Sequence, residues 1–349
     1  MKRKYAAILI IVVVVGTGSF LWNHFINTDP VSAELKQMVT DSASSTFSVK
    51  KWKESEKYSK KAMKFKEKDE LMSSGNEFAV TGVKLKAPYG IACLSEGILL
   101  ADHGESCLYL IDYSGNLVRK IGELGNGPNQ FQKPTGCTYH NGYYYVIDSG
   151  NKRIVILDRQ FNYTKELKLP KSERESEKEF TDIAINDKGD IYISGSYLYD
   201  SGLYRYNLEK DKFENVQKYF YGSLKEFGGE VYAVDQFRIY VDFEKKEITG
   251  GAGPYALWRL DGRNIKKLSN LPAGLNAGSF ELLRDNLIIC SPFHSAVMVF
   301  NMKNGKYMSN IYEVDKMDYK TYASIYGSDL YITEPEKGKI LKISLEKLQ

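Results

Sequence analysis

The stretch from Ile121 to Asp158, IGELGNGPNQFQKPTGCTYHNGYYYVIDSGNKRIVILD, constrains this chain more than any other, because it reads as one complete unit of a repeating β architecture. A glycine-rich turn (Gly122, Gly125, Gly127-Pro128) leads to Pro134-Thr135-Gly136 and then to a short strand ending at His140. Asn141-Gly142 follows, a dipeptide that favours positive φ at both central residues of a tight turn and so joins antiparallel strands. Tyr143 to Ile147 reads as the second strand, Asp148-Ser149-Gly150-Asn151 as a second turn and Arg153 to Leu157 as a third strand. Three short strands with turns between them cannot bury both faces alone, so the unit demands stacked neighbours.

The same pattern, aromatic or aliphatic alternation closed by a polar stop and followed by another strand, recurs in five further segments. With Asp148, the polar stops fall at Asp102, Ser194, Asp235, Ser291 and Glu334, at successive spacings of 46, 46, 41, 56 and 43 residues. That period is the length of a four-stranded propeller blade. The 273 residues from Glu77 to Gln349 hold six such units. The expected fold is therefore all-β, a six-bladed β-propeller of four-stranded antiparallel blades. The long fourth interval, which contains Gly250-Gly251-Ala252-Gly253-Pro254, is the one place where a seventh blade could hide. Phe78 to Leu85 precedes the first unit without a hairpin partner. It is expected to supply the outer strand of the last blade, which would remove the open sheet edge.

The N-terminus bears on where such a domain works. Lys2-Arg3-Lys4 precedes Tyr5 to Trp22, an uncharged run of 18 residues that can span a bilayer with help from its flanks. The basic cluster stays on the cytoplasmic side, which sends the remainder out. Residues 1–30 are thus expected to be a single-pass membrane anchor. A cleaved signal peptide is the alternative, but the small residues Val31-Ser32-Ala33 lie late for a cleavage site. Residues 31–76 differ in character: Lys50 to Glu70 carries nine lysines and five acidic residues with little to bury, as a solvated stalk would. Lysines so near a membrane could also hold anionic lipid or a wall polymer. Residues 77–349 are expected to form the propeller.

The turns after the second strands are expected to gather at one mouth of the central channel. They would bring together Asp102, His103, Asp148, Asn151, Arg153, Ser194, Asp235, His294 and Glu334. A ring of carboxylates there could hold a cation or a basic ligand, or carry out acid–base work. The structural alternative is that each aspartate accepts hydrogen bonds from its own turn, which suits Asp148 with its Gly150-Asn151 context best. His103 and His294 could ligate a metal only with a carboxylate as third ligand. The four cysteines show no metal spacing and read as buried thiols, with a Cys93–Cys107 bridge as the alternative. Formal net charge is +4 with both signs interspersed, so nothing marks the chain for nucleic acid. No Ser/His/Asp order or HExxH occurs, and Gly122-x-x-Gly125-x-Gly127 precedes a strand rather than a helix, so it is not a nucleotide fingerprint.

The glycine-rich lead, Pro134-x-Gly136 and Asp148-x-Gly150-Asn151-x-Arg153 followed by alternating aliphatic residues resemble an NHL repeat, and the whole resembles the anchored NHL or TolB-like six-bladed propellers of bacteria. Such propellers include an amidating lyase whose zinc is held by histidines, lactonases with a channel calcium, a streptogramin lyase, and cytoplasmic RNA binders. This chain has too few histidines at the relevant mouth for the first and no matching motif for the others, and export argues against RNA. The resemblance therefore implies a membrane-tethered extracytoplasmic module that presents its mouth to a peptide, a glycan or an envelope protein. The alternative it implies is a lyase or lactone hydrolase using a divalent metal in the channel. No cofactor is assigned, and whether the chain is an enzyme is left open at this point.

Overall fold

The computed structural model describes residues 48–49, 71–171, 179–196, 202–218, 220, 222–235, 238–242, 247–251, 255–272, 275, 277–292, 294–318 and 320–349. The expected anchor (residues 1–30) and most of the expected stalk lie outside the described residues. Among those described, no helix is long and apolar enough to cross a membrane.

Alternating runs such as Ile98-Leu99-Leu100-Ala101 and Tyr144-Tyr145-Val146-Ile147 send successive side chains to opposite faces of a strand. Each strand therefore feeds two cores. Six four-stranded antiparallel sheets form among the described residues. Their first strands are Pro88–Leu94, Pro134–His140, Glu179–Ile185, Gly222–Phe227, Ser279–Leu283 and Ala323–Tyr326, which define blades one to six. Leu99 and Ala101 of blade one pack with Tyr144 and Val146 of blade two. Ile147 and Ile154 pass the pattern to Phe180 and Ile183, and Tyr192 and Leu203 pass it to Leu224 and Val231. Val234 meets Phe280, and Ile288 meets Leu330. Finally Tyr331 and Ile340 of blade six meet Ile98 and Leu100, which closes the ring. Each such buried side chain contributes roughly 1.5–3 kcal/mol relative to exposure, so stability resides in the six joints rather than in any one sheet.

Two expectations are corrected here. The outer strand of blade six is Gly75–Glu77, antiparallel to Lys339–Ser344, rather than Phe78–Leu85. Phe78 is instead drawn into the joint between blades six and one, where its ring meets Tyr331 edge-on at 5.3 Å. The long fourth interval holds a hairpin, Arg238–Asp242 with Glu247–Gly251, joined in parallel by Ser48–Val49. It is an insertion between the second and third strands of blade four, which still pair directly through Val231 and Leu260. No seventh blade is present among the described residues.

The register of the second strands is as counted in five blades and one residue off in the third. Asp102 lies opposite Pro88 and Asp148 opposite Pro134, whereas the blade-three residue in that place is Gly195, opposite Phe180. Ser194 is one residue short and pairs with Asp182. Glycine leaves no side chain to mark the stop, and the sequence pattern therefore points to the neighbouring serine.

Candidate functional site

The polar stops are buried fastenings. Asp102 is wholly buried and accepts from the backbone N–H groups of Lys86 and Ala87, which lead into the first strand, and of Gly104 and Glu105 in its own turn. Asp148, equally buried, accepts from Gln132 N, Asn151 Nδ2 and Arg153 Nε. Burial pushes its carboxyl above the usual range against the pull of these donors. Arg153 also donates to Glu166 and to the carbonyls of Gly127 and Gln130, while Asn151 donates to that of Gly125. The glycine-rich lead and the Asp-x-Gly-Asn-x-Arg signature thus form one knot. The turn in which a carboxylate serves its own backbone N–H groups belongs to Asp102 and not to Asp148.

The other expected site residues are placed separately. Asp235 accepts from Ala256 N and Trp258 Nε1, and Glu334 pairs with Lys337. His103 stacks on Tyr89 with ring centroids 4.3 Å apart, and burial lowers its pKa. His294 is half-buried in the turn after Ser291. None of the nine, from Asp102 to Glu334, lines the central cavity. No cluster of three histidine, cysteine or acidic groups suited to a metal occurs among the described residues. The four cysteines are unbridged.

A different set of residues converges on the axis. A Cβ on Gly90 would stand 2.1 Å from the Thr135 carbonyl oxygen, and one on Gly136 would stand 2.8 Å from that of Thr181. The Pro-x-Gly pattern therefore marks where neighbouring first strands approach too closely for a side chain. Blade three carries Asp182 in that register, each of the three residues standing just before the partner of Leu100, Val146 or Ile193. Slightly farther along, pairing aligns Ala92, Thr138, Ala184, Lys225, Glu281 and Ser324, opposite Leu99, Tyr145, Tyr192, Tyr232, Ile288 and Tyr331. This ring is small on one side and charged on the other. It surrounds a cavity of about 410 Å³, lined also by Cys93, Glu96, Tyr139, Asp182, Glu226 and Tyr322.

The charges are organised around Lys225. Its Nζ lies 2.8 Å from Glu281 Oε1 and donates to the Ala323 carbonyl, with 18% of its side chain exposed. Burial works against the ammonium, but the Glu281 and Asp182 carboxylates outweigh it and hold its pKa above the ordinary value. Burial raises the Glu281 carboxyl despite Lys225. Asp182 accepts from Leu224 N at 2.9 Å and Ile183 N at 3.0 Å; burial pushes it up to about 6, with Lys225 pulling the other way. Cys93 donates its N–H to Ser324 Oγ, and burial pushes its thiol up to about 12, so it is no nucleophile at neutral pH. Sequence reasoning missed Asp182, Lys225 and Glu281 because none belongs to a motif. Their signal is a charge inside a first strand, where blades one and two place glycine, alanine or threonine.

Comparison with known proteins fits this architecture. The family profile DUF5128, described as a 6-bladed beta-propeller, matches residues 82–234, from just before blade one to the second strand of blade four. Comparison with curated proteins finds no match. Among solved structures, a gluconolactonase from Xanthomonas campestris superposes with a TM-score of 0.56 at 12% identity, covering 78% of this chain and 89% of that one. Virginiamycin B lyase from Staphylococcus aureus gives 0.52 at 15% identity, covering 78% and 99%. A structural genomics protein of unknown function from Bacteroides thetaiotaomicron gives 0.53 at 14% identity, covering 86% and 75%. At these identities the likeness is one of fold: the chain is an all-β six-bladed propeller.

Proposed function

We propose that this chain is a membrane-tethered, extracytoplasmic propeller of the NHL or TolB-like bacterial kind, and that it binds a small ligand, or one group of a peptide, glycan or envelope protein, in its central channel. The observation that carries the reading is the divided wall of the cavity, where Asp182, Lys225 and Glu281 line the same space as the small residues Gly90, Gly136 and Thr138. A channel that served only to hold blades together would be better plugged by packed apolar side chains, since exchanging a buried ion pair for hydrophobic residues is often neutral or stabilising. The cavity volume falls within the range of small-molecule sites.

Thermal-shift screening of the full-length protein against a metabolite panel tests this, with Thr138→Trp as a variant that fills the channel. A ligand that raises Tm in the parent but not in the folded variant supports the channel. Equal shifts in both would put the site elsewhere. The tether is tested by immunoblotting membrane and soluble fractions, where a soluble mature protein starting near Glu34 would refute it.

A divalent-metal lyase or lactone hydrolase is the second reading, favoured by the names of two structural neighbours, a gluconolactonase and a lyase. Asp182 and Glu281 are the channel carboxylates that would hold such an ion, against the repulsion of the Lys225 ammonium. Stoichiometric metal in the purified protein, lost in Asp182→Asn, would favour the enzyme.

A further inference from the structure

We infer that the channel takes a small organic cation, a primary ammonium or guanidinium on a short apolar body. This rests on the channel reading above and specifies its ligand. The lining holds the carboxylates of Glu96, Asp182, Glu226 and Glu281 against the single ammonium of Lys225. Lys225 is already committed to Glu281 and to the Ala323 carbonyl, which leaves the surplus charge negative. Asp182 is the acceptor best placed to use that surplus. Its hydrogen bonds run to two backbone N–H groups, and it lines the cavity together with Lys225 and Glu281.

The rest of the wall selects among cations. Each oxygen of an ionised carboxylate accepts more than one donor, so Asp182 can receive an N–H of the ligand without surrendering Leu224 N. Tyr139 and Tyr322 line the same cavity and put aromatic rings within its wall, while Ile91, Leu94 and Ile325 offer apolar surface to the body of a cation. A bare divalent ion needs several oxygens drawn into one coordination shell, and no such group of three occurs among the described residues. An anion would have to displace Glu281 from Lys225 and would then face the remaining carboxylates. The volume suits a molecule of several heavy atoms rather than an ion.

Titration supports the same assignment. The groups facing Asp182 are Lys225 and Glu281 from blades four and five and the thiol of Cys137 from blade two, and that thiol stays protonated near neutral pH. Asp182 therefore carries its charge above about pH 6 and loses it below, with Glu281 shifted in the same direction. A bound cation should be released on acidification.

Isothermal titration of the full-length protein with agmatine, n-butylamine, butyrate and glucose tests the inference. Saturable binding of agmatine or butylamine is expected, weakened at least roughly tenfold by Asp182→Asn, by Glu281→Gln and at about pH 5, and unchanged by the exposed control Glu346→Gln. Because Asp182→Asn and Glu281→Gln are nearly isosteric, circular dichroism should show both folded. Binding of butyrate in place of the amines, tightened by Glu281→Gln as Lys225 is released, would overturn the cation while leaving the channel site standing if Thr138→Trp abolishes it. Binding of glucose alone, or failure of every amine, would likewise refute the cation. Amine binding that survives both Asp182→Asn and Thr138→Trp would refute the cation site and the channel reading together.

Discussion

In blade two the polar stop Asp148 is held by Gln132, Asn151 and Arg153, and the axis carries Gly136 and Thr138; in blade four the matching Asp235 accepts from Ala256 N and Trp258 Nε1, and the axis carries Lys225. The two blades share a topology and differ in where they keep their polar chemistry. Blade two concentrates it in the joint, where the chain runs straight from Asp148 through Asn151 to Arg153. In blade four the hairpin between Arg238 and Gly251 intervenes in sequence between Asp235 and the third strand, which holds the carboxylate through Ala256 N and Trp258 Nε1 without an arginine or asparagine. Its charge stands at the axis instead. A strong repeat motif therefore reports how a blade is fastened, and the degenerate blades are where the channel acquires its character.

The sharpest way to break this comparison is at the axis of the regular blades. Gly90→Val is expected to prevent folding or to cost more than about 4 kcal/mol, because its Cβ would overlap the Thr135 carbonyl at 2.1 Å, backbone that cannot move without parting two first strands. Asp182→Gly, which gives blade three the residue of blade two, should fold normally. Urea denaturation of both decides the matter, and a well-folded Gly90→Val would show that the strands do not converge as described.

At the joints, Arg153→Ala is expected to cost about 3–5 kcal/mol, since it strands the buried Asp148 carboxylate and frees the carbonyls of Gly127 and Gln130. Trp258→Phe removes a single hydrogen bond from Asp235 in blade four, and a loss of only about 1 kcal/mol is expected. Equal losses in chemical denaturation would erase the distinction between a knotted blade and an inserted one.

A pH series sharpens the contrast at the axis. The Asp182 carboxyl is pushed up to about 6 in the folded protein, against about 3.9 in an unfolded chain. The folded state thus keeps a proton that the unfolded state releases, so this group's contribution to stability falls as pH rises from about 4 to about 6 and stays low above that. Asp182→Asn removes the loss. Its Tm should exceed the parent's by a few degrees at about pH 7.5 and converge with it near about pH 4. A variant no more stable than the parent at the higher pH would mean that Asp182 is better solvated than its place in the channel wall implies.

The joints were legible in the sequence and the axis was not. Period, hairpin turns and polar stops come from alternation and turn chemistry, which are local, and they located five of the six second-strand ends to the residue. The exception, Ser194 for Gly195, arose where glycine left nothing to read. Phe78 to Leu85 reads as the closing strand because it lacks a hairpin partner, yet the aromatic side chain of Phe78 gains more in the blade six–blade one joint than on an exposed edge. The same Pro-x-Gly that marks blade two recurs as Pro88-Tyr89-Gly90 in blade one and could have fixed the axial level early. From that level Asp182 follows by counting, whereas its proximity to Lys225 and Glu281 follows only from ring closure, which no local pattern encodes.

The smallest expected effect on stability is the most informative about purpose. The double exchange Lys225→Met with Glu281→Leu replaces a largely buried pair, 18% and 12% exposed, with side chains of similar bulk. Its stability is expected to lie within about 1 kcal/mol of the parent or above it, because the attraction lost is offset by the desolvation no longer required. The single change Glu281→Leu should be clearly worse, since it leaves the Lys225 ammonium with the Ala323 carbonyl and a more distant Asp182. Measured beside Arg153→Ala, the double variant separates two kinds of buried charge in one molecule. If it unfolds as readily as the joint mutant, Lys225 and Glu281 are fastenings like Asp148 and Arg153, and the argument for an axial ligand loses its footing. If it folds while channel binding disappears, the charge at the axis is there for what enters it.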